Sequence, residues 1–195
     1  MKTKVITIAV FAGIATASPV AQDGQETVTL DQASTTTTIT IDLAGIESWD
    51  LQGDGDNFNE FFNIGAGAQI LGFGWDVTIT TISPSWLSEV NIALTNSDGS
   101  DGLVFAPGIG HDFGGTQSFS SGGKIDLTSI GEDFALNADG ILHLEVFESF
   151  DDYADDIDAF FEAGSTMSIV FKPVPAPGAL GLLGLGGLVA TRRRR

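Results

Sequence analysis

The chain has 195 residues, 26 acidic and eight basic, a formal charge of −18 and no cysteine. Six of the basic residues stand at the ends (Lys2, Lys4, Arg192, Arg193, Arg194 and Arg195), so the body holds only Lys124 and Lys172 against all 26 acids, a net −24. Such a surface repels nucleic-acid phosphates and attracts cations, which excludes a nucleic-acid role, while the missing thiols exclude cysteine catalysis and any disulfide.

The first element is "MKTKVITIAVFAGIATASPV". Lys2 and Lys4 precede an apolar stretch from Val5 to Ile14, and Ala15-Thr16-Ala17 supplies a small-x-small cleavage site. This order predicts a secretory signal peptide over residues 1–17, cut between Ala17 and Ser18.

From 18 to 172 the apolar residues recur mostly at period two, in short runs broken by Gly, Asp, Asn and Ser. "TTTTITIDL" (35–43), "ILGFGWDVTITTI" (70–82), "LSEVNIALT" (87–95), "KIDLTSI" (124–130), "GILHLEVFES" (140–149) and "STMSIVFK" (165–172) are predicted strands. In the second of them Phe73, Trp75, Val77 and Ile79 share the apolar face. The stretch "DDYADDIDAFFEAG" (151–164) is the one candidate helix longer than a turn or two. Many short strands, frequent glycine turns and no alternation of strand with helix predict an all-β chain, an antiparallel β-sandwich of jelly-roll type forming one secreted domain.

The remaining residues, 173–195, form a tail. Pro173, Pro175 and Pro177 mark a stiff linker, and Gly178 to Thr191 carries no charge. As a helix the uncharged stretch spans about 21 Å, short of the roughly 30 Å of a bilayer core. Snorkelling arginine stems extend its reach, and the Arg192–Arg195 cluster fits a cytoplasmic terminus. A transmembrane sorting helix is expected.

Signal peptide, proline-rich linker, short apolar helix and terminal arginines together resemble the PEP-CTERM sorting signal. The resemblance covers Val174 to Arg195, with Pro175-Ala176-Pro177 where the family has Glu in the middle, and with Arg192, Arg193, Arg194 and Arg195 closing the signal. It implies a Gram-negative source, an exosortase-like sorting enzyme as partner and an inner-membrane intermediate. Release to the cell envelope or an exopolysaccharide-rich extracellular matrix would follow. Within the body, "TISPSWLSEVNIALTNSDGSDGLVF" and the region from Ala138 to Phe171 resemble the strands of a convertase P-domain. That second resemblance implies a jelly-roll-like sandwich and nothing of the convertase activity.

Candidate chemistry is sparse. His111 lies in a glycine-rich turn and His143 in a predicted strand, and neither has a serine and an acid suggested by local spacing. "SGGK" (121–124) matches S-x-x-K in letters, but two glycines make a loop where that motif needs a helical turn. No catalytic residue is assigned. A second reading is a glycan hydrolase using a carboxylate pair, although pairs arise by chance in a chain this acidic.

Ca2+ is the sharper possibility, since it takes six to eight oxygens from acidic turns. "DLQGDGDNFNE" (50–60) offers Asp50, Asp54, Asp56 and Glu60, with Asn57 among them; "NSDGSDG" (96–102) and "DDYADDID" (151–158) are further acidic turns. None has EF-hand spacing. Of the three tryptophans, Trp49, Trp75 and Trp86, the alternation of Trp75 with core positions predicts burial. Trp86 in "SPSWLS" is therefore the candidate for stacking on sugar rings. The expected function is a non-catalytic envelope or matrix protein that binds polysaccharide or partner proteins.

Overall fold

A computed structural model describes residues 36–152 and 156–174. The predicted signal peptide with Ala15 and Ala17, and the sorting residues Pro175, Ala176, Pro177 and Arg192 to Arg195, lie outside these residues. Among the described residues no helix is long and apolar enough to cross a membrane.

The strands are β1 (Thr37–Asp42), β2 (Glu47–Ser48), β3 (Phe58–Asn63), β4 (Gln69–Thr81), β5 (Val90–Asn96) and β6 (Gly102–Phe105). After them come β7 (Thr116–Ser120), β8 (Ile125–Asp126), a one-turn helix α1 (Leu127–Ile130), β9 (Phe134–Ala135), β10 (Ile141–Glu148), β11 (Ala159–Phe161) and β12 (Thr166–Lys172). All ladders between them are antiparallel and fall into two sheets, an all-β sandwich.

The larger sheet is organised on β4, a 13-residue strand. Along one edge β11 and β12 follow each other, from Ala159 opposite Thr81 to Lys172 opposite Gln69. Along the other edge lie β7, β8 and β9. β1 and β2 pair outward on β12 and β11. The smaller sheet runs β3-β10-β5-β6.

The period-two pattern of β4 does what alternation requires. Phe73, Val77 and Ile79 are buried in the core between the sheets, Trp75 packs partly buried against it, and Asp76 faces water. Trp75 stacks on Phe105 and Phe73, so its expected burial is partial. From the smaller sheet Val90, Ile92, Leu94, Leu142, Leu144 and Val146 complete one continuous core.

Gly74, on the outer face of β4, is required by a close approach. A Cβ there would run into the Gly123 carbonyl, because residues 121–124 cross over the strand. Ser121 holds that crossing: its Oγ accepts the Trp75 amide proton at 2.9 Å and donates to the Gly123 carbonyl at 2.5 Å.

Two expectations are corrected. The strand predicted over 124–130 stops at Asp126, whose carboxylate accepts the Thr128 and Ser129 amide protons as an N-cap and starts α1 instead. The helix predicted over 151–164 does not form at its C-terminal half. There Ala159–Phe161 is β11, bonded on both sides to β2 and β4. Two free strand edges satisfy that backbone better than a helical turn would, and they bury Ala159 and Phe161.

Candidate functional site

The acidic turn at 50–57 is built by one side chain from another strand. Glu145 lies on β10, buried on the outer side of the smaller sheet, and its Oε1 accepts protons from the Gly53 amide at 2.6 Å and the Asn57 Nδ2 at 3.0 Å. Asn57 also donates to the Leu51 carbonyl and accepts from the Asp50 amide, closing the loop on itself. Gly53, with φ of 89°, supplies the left-handed residue the turn needs. The result brings Asp50, Asp54 and Asp56 together, with a carboxylate oxygen from each lying within 4.8 Å of the others. Glu60 is not in this group; it sits on β3 opposite Leu144.

Beside the trio lies an open groove of about 450 Å³ whose lining includes Glu47, Trp49, Asp56 and Phe58. Asp56 is common to groove and trio. Trp86, the predicted stacking residue, is 45% exposed on a separate turn, where its amide donates to Glu89 Oε2 at 2.7 Å.

A second acidic group lies at the same end of the sandwich. β10 turns Leu142, Leu144 and Val146 into the core, and Glu148 continues that face. The Glu148 side chain is fully buried, and neither of its carboxylate oxygens has a hydrogen-bond partner. Its amide donates to the Asp50 carbonyl at 2.8 Å, tying it to the trio's loop. Burial pushes the Glu148 carboxyl up to about 9; the nearby Ser48 hydroxyl opposes this, and the charges of Asp158, Glu89 and Asp152 add to it.

Asp158 is also buried, its Oδ1 accepting from Ser85 Oγ at 2.7 Å. Burial raises its pKa too, against the pull of Ser85, with Asp151 and Asp152 contributing repulsion. Burial likewise raises Glu89. Sequence reading missed Glu148. The available signal was period two itself, which puts Glu148 on the face of Leu142, Leu144 and Val146.

The other acidic turns have local explanations. Asp98 Oδ1 accepts the Ser100 amide proton, and hydrogen bonds from Ser100 hold the Asp98 carboxyl below its usual range. The histidines stand apart from any serine–acid arrangement. His143 stacks on Phe61 at 4.5 Å with Nε2 2.7 Å from Asn59 Oδ1, and His111 packs against Phe113 and Phe119. Asp112 accepts from Ser88, not from its neighbour His111. In the S-x-x-K match, Ser121 serves the crossing described above while Lys124 Nζ donates to Thr38 Oγ1 at 2.9 Å.

No family model matches the chain, and no curated protein does. Among solved structures, that of infectious bursal disease virus Gt strain aligns with a TM-score of 0.33 and 14% identity, over 82% of this chain and 42% of that one. The structure of Cocksfoot mottle virus aligns with a TM-score of 0.28 and 11% identity, over 87% of this chain and 99% of that one. This chain thus spans less than half the length of the infectious bursal disease virus protein it resembles.

Proposed function

We propose that this chain is an exported, surface-sorted and non-catalytic protein of the cell envelope or exopolysaccharide matrix, with a jelly-roll-like body that binds polysaccharide with the help of Ca2+. The observation that carries the binding is the shared Asp56. It lines the groove with Trp49 and Phe58, and it also belongs to the Asp50–Asp54–Asp56 trio. A cation on the trio would sit at the edge of a groove whose aromatic face can stack on a sugar ring. It would also offset the −24 of the body, which otherwise repels acidic polysaccharides. Trp49 therefore replaces Trp86 as the first stacking candidate, with Trp86 a second exposed surface.

Sorting rests on the tail, with an exosortase-like enzyme as the partner reading Pro175-Ala176-Pro177, the apolar segment and Arg192–Arg195. Two measurements test the proposal. Binding of isolated exopolysaccharide is followed with Ca2+ and with chelator; equal binding in both removes the cation from the function. Terminal mass spectrometry of protein recovered from its native surface is expected to find a new C-terminus near Pro177, and an intact Arg192–Arg195 would remove the sorting.

A further inference from the structure

Six buried side-chain polar atoms lack a hydrogen-bond partner among the described residues, and four are oxygens at the Glu148 end of the core: Ser48 Oγ, Glu148 Oε1 and Oε2, and Asp151 Oδ1. Buried polar atoms are ordinarily satisfied, so four unsatisfied oxygens at one end of the core call for a ligand of opposite character. They are hard oxygen donors, and the charges acting on Glu148 are those of Asp158, Glu89 and Asp152, all negative. Among the described residues no cationic side chain reaches this end. Lys124 is bonded to Thr38, and Lys172 stands opposite Gln69 at the far end of β4.

We infer that Glu148, Asp158, Asp151 and Ser48, with Asp152 beside them, form an enclosed site for a hard divalent cation, separate from the Asp50–Asp54–Asp56 trio. Oxygen donors of this kind, with no nitrogen or sulfur among them, select Ca2+ or Mg2+ over softer metals. Among the described residues the trio is the one group of three acidic side chains already within 4.8 Å of one another, so the inner carboxylates must draw together on binding. Asp151 and Asp152 can supply that movement, because they stand after the end of β10, outside its ladders. Glu148 and Asp158 provide the fixed wall: the Glu148 amide is held by Asp50, and the Asp158 backbone bonds to Ser48 and Ile82.

The test is a Ca2+ titration of the full-length chain by calorimetry and by melting temperature, with E148Q, D158N and D54N. E148Q keeps the side chain's shape while removing its charge and is expected to melt in chelator no lower than the parent. D158N can keep the Ser85 bond through its amide oxygen but gives up the long one from the Asp152 amide, so its Ca2+ response is read against its own melting in chelator. The parent is expected to gain melting temperature with Ca2+. E148Q and D158N should each lose one bound equivalent and most of that gain, while D54N loses the other equivalent and keeps the gain. Parent stoichiometry and parent stabilisation in both E148Q and D158N would overturn the inner site and leave Glu148 a buried neutral acid. A Ca2+ response abolished by D54N alone would overturn it as well. Should E148Q fail to fold, D158N decides by the same two readouts. Loss of the trio's equivalent bears on the polysaccharide proposal and not on this one.

Discussion

The carboxylate of Glu145 on β10 accepts the side-chain proton of Asn57, 88 residues earlier in the chain, at 3.0 Å. The same oxygen accepts the Gly53 amide proton, so one buried acid holds both limbs of the turn that presents Asp50, Asp54 and Asp56.

Glu145→Ala should therefore act twice. Two donors lose their acceptor, at a cost of about 1–3 kcal/mol in unfolding free energy, and the aspartates lose their common frame. Urea denaturation checks the first effect, and calorimetric Ca2+ affinity at the trio checks the second. Unchanged affinity in a folded variant would show that the turn holds its shape without the anchor.

Asp54→Asn removes one of the trio's charges at an exposed position and is expected to leave stability in chelator within about 0.5 kcal/mol of the parent. Its Ca2+-dependent polysaccharide binding should fall to the level seen in chelator. Pull-down on immobilised exopolysaccharide, with and without Ca2+, reads this directly.

Trp49→Ala tests the groove. A stacking anchor of this size is worth at least about 1.4 kcal/mol, a tenfold loss of affinity. Trp86→Ala is the comparison: a loss there with none at Trp49 would move the sugar site to the other turn.

Gly74→Ala places a methyl group against the Gly123 carbonyl. Either β4 or the 121–124 crossing must shift, which is expected to cost about 1–3 kcal/mol. Thermal melting of the variant measures it.

Near neutrality two groups pull stability in opposite directions: the Glu148 carboxyl, pushed up to about 9, favours lower pH, and His143 opposes it. Burial lowers its pKa from 6.5, with the nearby Glu145 charge opposing the shift; Phe61 covers one ring face, and Asn59 and Thr95 contact the nitrogens. The folded state thus favours neutral imidazole. Its contribution is fully present above 6.5 and is lost as pH falls through the lower folded-state value. Below pH 6.5 the parent in chelator should gain less stability with falling pH than His143→Gln does. Equal pH profiles of the parent and H143Q would remove His143 from the pH dependence.

Strand positions were legible because alternation is a local property. From Ile70 to Thr81 and from Ile141 to Glu148 the letters alone place the elements to within a residue or so. Two segments were not legible for physical reasons. Asp126 reads as one polar residue in an alternating run until its carboxylate is seen capping a helical turn. Residues 159–161 carry a helical-looking apolar pair, but two neighbouring strands decide their conformation. The site divides the same way. Asp50, Asp54 and Asp56 are close in sequence and were found, whereas Glu145 and Glu148 matter through partners some 90 residues away. Glu60 was included on proximity in sequence, yet β3 carries it away from the turn.

The arrangement along β4 also sets a direction. Lys172, after which the chain runs on toward the tail, stands opposite Gln69, while Ala159, next to Asp158, stands opposite Thr81. Twelve steps of a strand at about 3.3 Å each separate those two levels by roughly 40 Å. The acidic end, with both groups of carboxylates and the Trp49 groove, therefore lies at the opposite end of β4 from the one where the chain runs on past Lys172.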